Sequence, residues 1–188
     1  MFNFPKTEKK LKSRISSYKS ALNKEKRTYG HINDGSGKRY LLFSLYFVLN
    51  DLEKSENYFE WYAAECPDDV GEPIQKLCWA LSLRRMGKVR EAKLKLAELM
   101  LSNLYIIPKI IGEKVREHDI WHASSDADID YIDCLPQAVR TSIQQSEMDW
   151  MKTLYESFEF RRIRKRYIEI FHQLKTVKEI EDRRVLLG

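Results

Sequence analysis

A chain of 188 residues is long enough for one domain, or two small ones, with a sizeable core. Its 7 glycines and 5 prolines, about half the usual share, leave too few tight turns for a many-stranded sandwich or barrel. With 43% hydrophobic and 32% charged residues it is neither a disordered tail nor a membrane bundle, and its net charge of +5 is unevenly spread. Residues 1–39 carry 11 Lys/Arg against 3 Asp/Glu, 40–150 carry 12 against 19, and 151–188 carry 10 against 6. Basic ends flank an acidic middle, so the ends are expected to meet either that middle or an acidic partner.

In chain order, Phe2 and Phe4 lead directly into Lys6, Lys9, Lys10 and Lys12. That pattern has no apolar leader, and the expected location is cytoplasmic. Cys66, Cys78 and Cys134 are odd in number and lack C-x-x-C spacing, so they read as reduced thiols. Over 7–28, Leu11, Ile15, Tyr18 and Leu22 step by four, three and four, which predicts a basic amphipathic helix. A turn at 31–38 follows. Helices are predicted over 38–50, 52–66, 73–86 and 89–103, with Pro67, Gly71, Pro73 and Gly87 between or capping them. A shorter helical piece interrupted by Pro108 and Gly112 is expected over 104–121, an acidic irregular stretch over 122–134 and a short helix over 136–145. From 147 to 187 the chain reads as helix with a break near Ser157. Phe160, Ile163, Tyr167, Ile170, Leu174 and Val177 form an a/d stripe there, expected either to close the core or to form a homodimer seam. Every level points to an all-α fold.

Within 36–104 the chain aligns with itself at an offset of 37 residues. Leu42, Phe43 and Tyr46 match Trp79, Ala80 and Leu83. Asn50, Ser55, Phe59, Tyr62 and Pro67 match Gly87, Ala92, Leu96, Leu99 and Leu104. Small residues at Ser55 and Ala92 allow close helix approach, and the large residues four and seven further on fill the groove. The stretch from Met86 to Ala92 completes a pattern that resembles the tetratricopeptide repeat (TPR). It departs where Arg39 and Lys76 replace the early Trp, and where Phe43 replaces a small residue. The resemblance implies antiparallel helix hairpins in a right-handed superhelix, one helical domain over 1–188. The 7–28 helix and the 105–188 region would cap its ends. It further implies a protein or peptide partner in a groove at Tyr40, Ser44, Phe47, Leu77, Leu81, Arg84 and Arg85. The Lys/Asn set with which such repeats read a terminal carboxylate is missing. The groove is aromatic and aliphatic, suited to an amphipathic helix, either a partner's or the chain's own 7–28.

Other constellations are weaker. Gly35-Ser-Gly-Lys38 ends like a P-loop, but Ile32 and Arg39 stand where the motif needs Gly and Ser or Thr. His118 and His122 would share a helical face near Asp119, Asp126, Asp128 and Asp130. Neither zincin nor EF-hand spacing is met, and no metal, cofactor or catalytic residue is expected. Arg161, Arg162, Arg164, Lys165 and Arg166 on the C-terminal helix are candidate phosphate contacts. The reading is therefore a non-enzymatic interaction module, an adaptor, scaffold or regulatory subunit, without a membrane segment. The alternative is a nucleic-acid-associated factor using the basic ends.

Overall fold

Thr7 starts the first helix, α1 (Glu8–Tyr29), by accepting the Lys10 N–H on its hydroxyl at 3.4 Å. Gly30 ends it in the left-handed region at φ 77°, donating its N–H to the Lys26 carbonyl. The computed structural model describes residues 3–122 and 124–187; Phe2 lies outside them. Four further helices follow: α2 (Lys38–Leu49), α3 (Leu52–Glu65), α4 (Pro73–Arg85) and α5 (Val89–Ser102). Later come α6 (Ile106–Ile110), two 3-10 turns (Ser125–Ala127 and Ile129–Cys134), α7 (Gln137–Ser142), α8 (Gln145–Tyr155), α9 (Phe158–Gln173) and α10 (Ile180–Leu187). Among the described residues there is no strand, so the fold is all-α. None of these helices is long and apolar enough to cross a membrane.

The 37-residue offset survives in the backbone. α3 and α5 have the same length and begin and end 37 residues apart. Asn50 and Gly87, paired by the alignment, are both left-handed, at φ 56° and 78°. Asn50 is the only described non-glycine with positive φ, a conformation Asn tolerates better than most residues. At the α3–α4 turn the Gln75 Oε1 accepts the Glu72 N–H at 3.0 Å, closing a capping box behind Pro73.

The expectation of one domain over 1–188 meets two compact units. The first comprises 1–96 and 135–144, and the second 97–134 and 145–188. α5 runs through the boundary, which explains why the linear pattern shows no linker.

In the first unit α2 lies against α1, α3, α4 and α7, and every residue from Leu42 to Phe47 is buried. Six consecutive buried residues mean a helix covered on all sides. Phe43 is the hub. Its ring centroid lies 5.0–5.2 Å from those of Tyr58, Phe59, Tyr62 and Trp79. The aromatic departure from the repeat pattern is thus filled by an aromatic cluster.

In the second unit α6 contacts α8 and the second 3-10 turn, and α8 contacts α9. Leu104, Tyr105 and Ile120 form a core with Val115, Ile129, Tyr167, Ile168 and Phe171 around it. Only 106–110 of the piece expected to be helical over 104–121 is α-helix. Residues 113–122 run without regular structure, held by the Tyr105 hydroxyl accepting the His118 N–H at 3.1 Å and the Phe171 carbonyl accepting the Trp121 N–H at 2.9 Å. At the other end of α6, Asn103 is fully engaged. Its Oδ1 accepts the Tyr105 and Ile106 N–H groups at 2.9 and 3.1 Å, while its Nδ2 donates to the carbonyls of Asp126 and Asp128. One buried amide thus starts α6 and pins the acidic stretch. Asn103→Leu keeps the volume and strips these bonds. It is expected to cost about 2 kcal/mol. Hydrogen exchange should accelerate across 124–134; unchanged protection there would refute the pinning role.

The break near Ser157 is present, with the Ser157 hydroxyl accepting the Phe160 N–H at 3.4 Å. The a/d stripe is not continuous. α9 ends at Gln173, and Arg183 Nη1 donates to the Leu174 and Val177 carbonyls in the turn before α10. Phe160 and Leu174 are buried, whereas Ile163 is exposed. A seam through Val177 is therefore interrupted, because the turn takes that residue off the helix.

Candidate functional site

The seven positions expected to line a groove do not form an open one. Phe47, Leu77 and Leu81 are 0–1% exposed and Ser44 is 2% exposed. Tyr40, Arg84 and Arg85 are half-buried. The physical reason is that the chain covers α2 itself, with α1 and with α7. Ser44 Oγ meets Cys78 Sγ at 3.6 Å, and burial pushes the Cys78 thiol up to about 12, so it stays protonated. Arg85 is a strut. Its guanidinium lies 4.1 Å from the Phe47 ring centroid and donates to the Phe47 carbonyl, Asn50 Oδ1 and, at 2.7 Å, the Ser142 carbonyl on α7. Tyr40 belongs to a polar cluster with Arg39 and Asp69.

Gly35 lies in the α1–α2 turn and Lys38 is the first residue of α2. Lys38 Nζ donates to Ser36 Oγ and sits 3.7 Å from Asp34 Oδ1. The lysine is held by the turn's own carboxylate. His118 and His122 do not share a helical face, since 113–122 is irregular. The His118 ring stacks on Tyr105, with centroids 5.8 Å apart; burial, then Arg164 and His122, lower its proton affinity. Asp119 instead pairs with Lys175. Among the described residues no group of three His, Cys, Asp or Glu is placed to hold a metal ion.

Of the five candidate phosphate contacts on α9, Arg161, Arg162, Lys165 and Arg166 are exposed. Arg164 is not. Its guanidinium covers the Tyr155 ring at 3.7 Å, donates to the Tyr155 carbonyl and reaches Met100 Sδ, and burial lowers its pKa. It ties α9 to α8 and to the end of α5 within the second unit.

The open, charged concavity lies elsewhere in the first unit. A cleft of about 820 Å³ runs along α1, bounded by α2 and α3. Its apolar floor is Ile15, Tyr46 and Leu49, of which Ile15 is 7% and Tyr46 2% exposed. Burial, with help from Asp51, pushes the Tyr46 hydroxyl up to about 12, so the floor is uncharged. The rim is cationic: Lys12, Lys19, Lys26 and Arg27 from α1 and Lys54 from α3. Ser16, Ser20 and Asn23 lie between the α1 cations, and among the described residues no carboxylate lines the cleft. Three of the rim lysines have carboxylates behind them: Lys12 with Glu8 at 2.6 Å, Lys26 with Glu65 at 2.6 Å and Lys54 with Asp51 at 2.7 Å. Lys19 and Arg27 have no ion pair among the described residues. The basic charge of α1 was plain in the sequence. That it would border a hollow was not, because Tyr46, Leu49 and Lys54 reach it only through helix packing.

Comparison with protein families, with curated proteins and with solved structures finds no match to this chain.

Proposed function

We propose that the protein is a non-enzymatic interaction module, an adaptor or regulatory subunit, that takes a protein partner in the α1–α2–α3 cleft of its first unit. The observation carrying this is the cleft itself: an uncharged floor inside a cationic rim, on the surface of rigid helices. The reading keeps the TPR-like character of the helix pairs, supported by the matched bounds of α3 and α5 and by the left-handed Asn50 and Gly87. It moves the partner from the α2–α4 positions, which the chain has filled, to the flank of α1 where its lysines border Ile15, Tyr46 and Leu49.

The test compares the tagged full chain with the double variant K19E/R27E as bait in native cytosol, with and without nuclease, at near-physiological salt. Both residues are exposed, so the variant should keep its helicity. The expected result is a defined set of proteins that survives nuclease and is lost from the variant. Recovery that vanishes with nuclease would instead place the protein with nucleic-acid-associated factors. Identical recovery by both baits would remove the cleft from the reading.

A further inference from the structure

From the register of charge along α1 we infer that the occupant of the cleft is an acidic amphipathic helix of the partner protein, lying alongside α1. This rests on the interaction reading above and names the partner's chemistry.

Lys12, Lys19 and Lys26 recur every seven residues, and all three line the cleft. Seven residues are two turns of helix, about 10.5 Å of rise. Leu11, Ile15, Tyr18 and Leu22 form the a/d stripe of the same helix, and Leu11, Ile15 and Leu22 are buried within the first unit. The three lysines then stand at the flanking e positions, where paired helices exchange charges. A neighbouring helix with carboxylates every seven residues would meet each lysine in turn. Its apolar side would cover Ile15, Tyr46 and Leu49. Arg27 and Lys54 add charge of the same sign, so complementarity requires an acidic partner.

The existing ion pairs do not oppose this. The pairs of Lys12 and Lys54 are local to one helix or its cap, and all three are partly solvated, so their carboxylates are readily exchanged for a partner's. Lys19, at the midpoint, has no ion pair among the described residues and offers its charge to a partner.

A nucleic-acid strand fits less well. Single strands gain affinity by stacking bases on exposed aromatic rings. Among the described residues the only ring in the floor is Tyr46, and it is 2% exposed. Leucine-sized side chains at helical spacing cover such a floor better than nucleobases do.

The experiment is fluorescence anisotropy on the full chain with three probes. The first is a labelled peptide of about three heptads with Leu at a and d and Glu at e and g. The second has Lys in place of Glu, and the third is an oligouridylate of similar length. The Glu peptide is expected to bind with a Kd on the order of micromolar. The affinity should fall at least about tenfold in K19E/R27E, and partly return in K19R/R27K, as for a charge pair at a docking surface. The Lys peptide should not bind. Circular dichroism of each variant checks that the helices remain, and K19Q/R27Q replaces any variant that loses them. No saturation by the Glu peptide at about 100 μM, or binding indifferent to Lys19 and Arg27, would overturn the inference. Oligouridylate bound in a Lys19-dependent way would overturn it in favour of nucleic acid. If the Glu peptide fails while cytosolic proteins are still captured through Lys19, the interaction reading stands and only the acidic-helix assignment falls. If neither is captured, both fall.

Discussion

Phe43→Ala is expected to destabilise the first unit by about 3–5 kcal/mol, among the larger effects of a single core truncation. The side chain is 0% exposed and meets four other rings at centroid distances near 5 Å. Two are edge-on (Tyr58 and Tyr62), one is stacked (Phe59) and one is tilted (Trp79), and each such pair adds to the area term. Tyr58, Tyr62 and Trp79 also meet other rings of the cluster, so they are held in place and cannot collapse into the cavity. Trp61 and Trp79 lie in the first unit and Trp121 and Trp150 in the second, so tryptophan fluorescence during urea unfolding in a W121F/W150F background is the measurement. A midpoint moved by less than about 1 kcal/mol equivalent would mean that the hub is not where the stability lies. Phe43→Leu should recover part of the loss, since it restores apolar volume but not ring geometry.

Arg39→Met is expected to cost about 3 kcal/mol through a different mechanism, the stranding of carboxylates. Arg39 Nε donates to Asp69 Oδ2 at 2.6 Å, and Nη1 lies 3.6 Å from Asp34 Oδ2. Asp34 has a fully buried side chain and Asp69 one that is 15% exposed. The Tyr40 hydroxyl donates to Asp69 Oδ1 at 2.6 Å, and the Gly71 N–H donates to the same oxygen. The cluster therefore joins the α1–α2 turn to the α3–α4 turn. Burial pushes the Asp69 carboxyl up, but the hydrogen bonds from Tyr40 and Arg39 outweigh it and hold the group below the usual carboxylate range. A carboxyl with a depressed folded value stabilises the protein above its unfolded pKa of about 3.9, and that contribution is lost as pH falls through the folded value. Thermal unfolding followed from pH 6 downward should thus fall off in the wild type below about pH 4, and less steeply in Arg39→Met. Equal slopes in the two proteins would show that Asp69 is not held by the guanidinium.

Much of the local architecture is readable without coordinates. Pro73, Gly87 and the break near Ser157 mark helix ends by short-range backbone chemistry, whereas the Thr7 and Asp51 caps and the left-handed Gly30 and Asn50 are seen only in the structure. The region over 104–121 misleads for a complementary reason. Its apolar residues are common in helices, but its backbone partners, the Tyr105 hydroxyl and the Phe171 carbonyl, are respectively a side chain and a residue fifty positions away. No window along the chain contains that competition. The five cations of α9 are another case. They look equivalent in sequence, yet Arg164 is drawn onto Tyr155 and Met100 while its neighbours stay in solvent.

The sequence by itself determined the all-α class, the α3/α5 register, the basic character of α1 and its seven-residue lysine spacing, because these depend on neighbours within a few turns. Only the tertiary structure decided which helix faces remained open. Whether Phe47, Leu77 and Leu81 line a groove or a core turns on α1 and on a segment from 135–144 returning to α2 and α4. Whether Lys19 faces solvent or a cleft depends on where Tyr46 and Leu49 come to rest. Those outcomes follow from burying the greatest apolar area over the whole chain, a sum over long-range contacts that no local pattern encodes.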